Sequence, residues 1–116
     1  MSTPAEVDGY ALLVRFVVRD GAQPAFDTLV ARTVGLIRTH EPGTLVYAVH
    51  TTGTPSERIF YELYRDPEAF AFHERQQYIQ EFLTVRGALL QTPPEVTVLT
   101  PTMHALRRTP TTGSGR

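Results

Sequence analysis

The 116-residue sequence predicts a single α+β domain, ferredoxin-like, in the order β-α-β-β-α-β with a four-stranded antiparallel sheet. Three observations carry this expectation. Four short runs are apolar and β-branched; two longer segments, one after the first run and one after the third, repeat their apolar residues at helical spacing; and turn-forming residues separate them.

"YALLVRFVV", Tyr10 to Val18, is the first strand, too short for a helix and closed by "RDG". It is apolar on both faces, with Leu12, Val14 and Phe16 on one and Ala11, Leu13 and Val17 on the other. The first helix is opened by Pro24 in its first turn. Phe26, Leu29, Val30, Thr33 and Ile37 form its inner stripe, and it ends near His40, before "EPG". "TLVYAVHT", Thr44 to Thr51, and "RIFYELY", Arg58 to Tyr64, are strands two and three, joined through "TGTPSE" as an antiparallel hairpin.

The second helix starts at Asp66, a good N-cap, followed by Pro67 at the first helical position and Glu68 at the positive end of the helix dipole. Its periodicity runs through Ala69, Phe70, His73, Ile79, Phe82 and Leu83 to Leu90, with a break near Gln77 left open. Gly87 and "TPPE" mark its end, and "EVTVLT", Glu95 to Thr100, is the last strand. The domain therefore spans residues 10–101, between expected flexible ends at 1–9 and 102–116. With both helices on one side of the sheet, Ile59, Tyr61 and Leu63 join the outer face of the first strand in an apolar patch. A homodimer packed sheet to sheet is the expected remedy.

A net charge of -1 offers no basic surface for nucleic acid or an anionic membrane. No apolar run is long enough to span a bilayer and no export signal precedes the first strand, so the expectation is a soluble, cytoplasmic protein. The absence of cysteine removes thiolate nucleophiles, disulfides and iron–sulfur ligation. His40, His50, His73 and His104 lack metal-ligand spacing, no glycine-rich phosphate loop follows a strand, and Ser2, Ser56 and Ser114 have no nucleophile context. Neither a metal nor a cofactor is expected.

One carboxylate is out of place. Glu62 shares a strand face with Phe60 and Tyr64, where burial would raise its pKa and suit it to proton exchange near neutral pH. His73 lies on the inner stripe of the second helix, where an imidazole could exchange protons with a phenolic substrate. Residue type alone leaves open the alternatives of an edge glutamate paired with Arg15 or Arg58 and a hydrogen-bonded core histidine. Tyr47, Tyr61, Tyr64, Tyr78, Phe60, Phe70, Phe72 and Phe82 are either ordinary core or the lining of an aromatic cavity.

The stretch "EPGTLVYAVHTTGTPSERIFYELYRDPEAFAFHERQQYIQEF", Glu41 to Phe82, resembles the antibiotic biosynthesis monooxygenase family of dimeric ferredoxin-like α/β barrels. The likeness rests on the "EPGTL-Y" turn and strand, the "YELYRD" strand end, and the helix bearing Ala69 and His73. It implies an enzyme of secondary metabolism that oxidises a quinol, anthrone or related polyketide-type aromatic with O2, without metal or flavin. In that reading His73 is base or proton shuttle, and Glu62 orients it or positions a substrate oxygen. Tyr78, Tyr64, Phe82, Tyr47 and Arg15 are the expected substrate-binding residues. Tyr78 stands where the family often has a second histidine, and the chain has no asparagine or tryptophan, which disfavours haem degradation. A proton-transfer isomerase or cyclase, and a non-catalytic dimeric protein that holds an intermediate, are the rival functions.

Overall fold

The computed structural model describes residues 9–103. The expected flexible ends fall almost wholly outside the described residues. The elements are β1 (Tyr10–Val17), α1 (Gln23–His40), β2 (Thr44–Thr51), β3 (Glu57–Tyr64), α2 (Pro67–Arg75), α3 (Gln77–Gly87) and β4 (Glu95–Leu99). The strands lie in the order β2-β3-β1-β4, with every neighbouring pair antiparallel. This is the ferredoxin-like α+β fold.

The question left open around Gln77 is resolved by the backbone. Gln76 leaves helical geometry, at φ −68° and ψ 136°, so what reads as one periodic segment is two helices. Side-chain periodicity runs through because a single extended residue re-aims the axis without changing which residues face inward. Ala69, His73, Ile79 and Phe82 are all buried. The start of α2 follows its sequence signals, with Asp66 accepting a hydrogen bond from the Ala69 amide at 2.8 Å and Pro67 filling the first position.

Period-2 alternation sets the two faces of the sheet. Leu12, Val14 and Phe16 of β1 pair in register with Glu62, Phe60 and Arg58 of β3, all beneath the helices. Phe16, Phe26 and Phe60 form the centre of the core with ring centroids 4.6 to 6.2 Å apart. Each such ring, fully buried, contributes on the order of 1.5–3 kcal/mol. Arg58 is also buried here, held by a two-pronged pair with Asp27 at 3.0 Å on both nitrogens. It therefore partners α1 and not Glu62.

The other face carries Leu13, Tyr61 and Leu63, and Arg15 in register with Ile59. Leu63 is buried, whereas Leu13 remains 39% exposed. Arg15 pairs with Glu57 and, at 3.1 Å, with Glu95. Because Arg15 has odd parity in β1, it stands on the side of the sheet away from Glu62, which corrects its expected place near the substrate.

Candidate functional site

The tight turn after α1 builds the first half of the site. Glu41 closes α1, its amide bonded to the Ile37 carbonyl at 2.9 Å, and its own carbonyl accepts from the Thr44 amide at 3.1 Å. Pro42 limits the backbone between those bonds, and the Gly43 carbonyl accepts from the Arg65 amide at 2.9 Å. Gly43 has no room for a side chain: a Cβ there would stand 2.7 Å from the Cβ of Ala69. That approach brings the turn against α2 and places the Glu41 carboxylate beside His73.

Glu41 is 4% exposed, and its carboxylate accepts three side-chain hydrogen bonds. They come from the His73 Nδ1 at 2.8 Å, the Thr44 hydroxyl at 2.6 Å and the Tyr78 hydroxyl at 2.5 Å. Burial alone would raise its pKa, but the bonds from His73, Thr44 and Tyr78 together outweigh burial and hold it below the usual carboxylate range. An ionised carboxylate can only accept, so Nδ1 of His73 carries a proton toward Glu41, and the ring nitrogen left to exchange protons is Nε2.

His73 is also a wall of a cavity of about 190 Å³ between the helices and the sheet, open at the sheet edge. Leu12 and Val14 belong to its sheet side; Tyr47, Glu62, Phe82 and Arg86 bring the aromatic and ionisable groups. Val96 and Val98 of β4, 55% and 57% exposed, form its rim at the sheet edge. Glu62 is 5% exposed, and its pKa is raised, first by burial, against the opposing effects of the Tyr64 hydrogen bond and the charges of His73 and Arg86. The Tyr47 phenol is pushed well above its ordinary range, first by burial and then by the Glu62 charge.

The expected site residues thus separate into three groups. His73, Glu62, Tyr47 and Phe82 meet at the cavity. Tyr64 and Tyr78 stand behind it. Tyr64 is fully buried and donates to the Glu62 Oε1 at 2.6 Å, with its ring 5.1 Å from that of His73, while Tyr78 is committed to Glu41. Arg15 lies on the far side of the sheet. His73 takes its orienting hydrogen bond from Glu41, and Glu62 takes its own from Tyr64; those two cavity groups are not hydrogen-bonded to each other.

Two contributors escape sequence reasoning. Glu41 reads there as the end of a helix, and the clue is its place in "EPGTL", within the stretch that carries the family likeness. Arg86 reads as one more outer residue of a helix. It lies four residues after Phe82 on α3, so both face the same side, and its guanidinium sits over the Phe16 and Phe82 rings at 5.2 and 5.4 Å. Among the described residues, no three His, Cys, Asp or Glu side chains gather as metal ligands would. None of the described helices is long and apolar enough to cross a membrane.

Fold and pocket together define a small ferredoxin-like protein with a cavity bounded by a carboxylate-oriented imidazole. The model of the antibiotic biosynthesis monooxygenase family matches residues 9–85, and the chain belongs to that family. Among solved structures, the chain is similar to Rv0793 from Mycobacterium tuberculosis at 27% identity, covering 85% of this chain and 100% of that one with a TM-score of 0.80. It also resembles a protein from Caulobacter crescentus CB15 that bears the same family's name, at 18% identity over 79% and 88% of the two chains with a TM-score of 0.75. PA3566 from Pseudomonas aeruginosa follows at 22% identity, 81% and 94% coverage and a TM-score of 0.73. A comparison with curated proteins yields no match.

Proposed function

We propose that this protein is a cofactor-independent monooxygenase that oxidises an enolisable, electron-rich aromatic of the quinol or anthrone type with O2. The observation that carries the reading is the Glu41–His73 pair, which leaves Nε2 to exchange protons on an imidazole that bounds an aromatic cavity. His73 removes a proton from the substrate's phenol or activated C–H, and Glu41, already ionised, stabilises the imidazolium that forms. The resulting carbanion-like enolate passes one electron to O2; the two radicals combine at carbon, and the hydroperoxide loses water to leave a carbonyl. Over the cycle, a CH2 group and O2 become C=O and H2O: His73 returns its proton to the peroxide anion, and the hydroperoxide then gives up its remaining C–H proton and its terminal OH as water.

Glu62 serves that sequence as a second proton-holding group. Burial raises its pKa against the hydrogen bond donated by Tyr64, which suits the carboxyl to exchange a proton with a substrate oxygen. The apolar side chains around the reacting atoms limit the access of water to the reactive intermediates. The working unit in this reading is a cytoplasmic homodimer joined through the open face of the sheet.

Oxygen uptake by purified, metal-stripped protein, with hydroquinones and anthrones and a correction for autoxidation, tests the proposal. Uptake that disappears in His73→Ala supports it. Turnover that persists unchanged under nitrogen sinks it in favour of an isomerase or cyclase, a reading favoured by the presence of two proton-exchanging groups, His73 and Glu62, on one cavity.

A further inference from the structure

We propose that the cavity takes a molecule with a single ring bearing an ionised oxygen, and that Arg86 receives that oxygen. The inference rests on the reading above only in taking this cavity as the substrate site. It narrows the expected range of quinols and anthrones by size and by charge.

Size comes first. A dry cavity of about 150 Å³ holds one benzene, whereas pockets for drug-sized ligands run from about 300 to 1,000 Å³. At about 190 Å³, the space between α3 and the sheet fits one ring with small substituents. Its walls resist expansion, because Phe82 and Ile79 are only 2% exposed and pack into the core. A fused three-ring skeleton overfills this space and would have to stand out past Val96 and Val98 at the sheet edge.

Charge comes second. The Arg86 guanidinium forms no hydrogen bond or ion pair among the described residues, although it lies half-buried over two aromatic rings. Arginine stays protonated at such a site, so burial leaves a cation with unused donors on a cavity it shares with Tyr47, Glu62, His73 and Glu74. The other ionisable groups on the same cavity do not fill that need. Glu62 is engaged with Tyr64, His73 with Glu41, and Glu74 is exposed. A planar fork of N–H donors with no internal acceptor matches a phenolate or enolate oxygen. The phenyl faces of Phe82 and Tyr47 supply the surface for a ring attached to it.

Equilibrium titrations with para-nitrophenolate, its uncharged counterpart nitrobenzene, and anthrone as competitor read size and charge separately. They are run at mildly alkaline pH on the full chain, as wild type, Arg86→Met and Arg86→Lys, with folding checked by circular dichroism. The expected result is that wild type binds para-nitrophenolate at least about tenfold more tightly than nitrobenzene, that Arg86→Met loses the preference and Arg86→Lys keeps part of it, and that anthrone does not compete. Equal affinity for the two small probes, no binding of either, a preference that survives in Arg86→Met, or displacement by anthrone would each overturn the proposal. The wild-type comparison stands even if a variant fails to fold. Phenolate binding without oxygen uptake would remove the oxygenase reading and leave this one, and uptake driven by anthrone would do the reverse.

Discussion

His73 and Glu41, 32 residues apart in the chain, are joined by a 2.8 Å hydrogen bond between two buried side chains. The bond ties the end of α1 to the last turn of α2, so one contact both closes the fold and fixes which imidazole nitrogen faces the carboxylate with a proton. Structural and chemical roles can be separated, because truncating the base and disturbing its orientation have different signatures.

His73→Ala should lower oxygen uptake by about 100-fold or more, the usual loss on removing a general base. Glu41→Gln keeps the shape but can offer an amide N–H to Nδ1, which stabilises the wrong tautomer. A fall in kcat on the order of tenfold or more is expected with little change in KM, together with a shifted pH profile for kcat. A purely structural role for Glu41 would leave the profile of the remaining activity where it was.

The two buried carboxylates should give stability opposite dependences on pH. The Glu41 pKa is lowered in the folded protein, so its contribution is complete above the unfolded value of about 4.3 and is lost as pH falls through the lower folded value. The Glu62 pKa is raised, so its contribution is complete below about 4.3 and drains away as pH rises through the higher folded value. In urea titrations Glu62→Gln should be more stable than wild type at neutral pH and lose that advantage in acid. Glu41→Gln should be less stable at neutral pH, with the deficit narrowing in acid.

Gly43→Ala tests the approach that creates the pair. Its new methyl would meet the Ala69 Cβ at 2.7 Å, and both are fixed by backbone, so α2 must move. A loss of about 1–3 kcal/mol is expected, with reduced uptake beyond what stability explains. The double variant with Ala69→Gly should recover activity while giving back about 1 kcal/mol in helix propensity. Unchanged unfolding in Gly43→Ala would contradict this account.

The open sheet face predicts association. Leu13, at 39% exposure, stands in register with Tyr61 on that face, so Leu13→Arg should halve the mass measured by light scattering at micromolar concentration. A monomeric wild type would remove the dimer from the proposed working unit.

Much of this molecule is legible in local sequence. The alternation in "RIFYELY" puts Glu62 with Phe60 and Tyr64 beneath the helices, and Asp66-Pro67 announces the start of α2. Other features depend on tertiary placement. The partner of His73 is set by a turn packing onto a helix, so no spacing rule connects positions 41 and 73. Gln76 breaks a helix without a proline or glycine to signal it, because an extended glutamine costs little when the packing on both sides rewards the bend. Arg15 shows the converse, since parity within β1 already separates it from Leu12 and Val14, and register across to β3 then fixes it opposite Ile59. Arg86 becomes legible only once Phe82 is known to face a space and not solid core.

In the proposed reading, the break at Gln76 leaves the proton-handling residue, His73, on one short helix and the residues that would gauge the ligand, Phe82, Leu83 and Arg86, on another. Inheritance can therefore act on them separately. Substitutions along α3 can retune what is admitted while the tautomer set by α2 and the Glu41 turn is passed on intact, so a lineage built on this chain can change its diet without reinventing its chemistry.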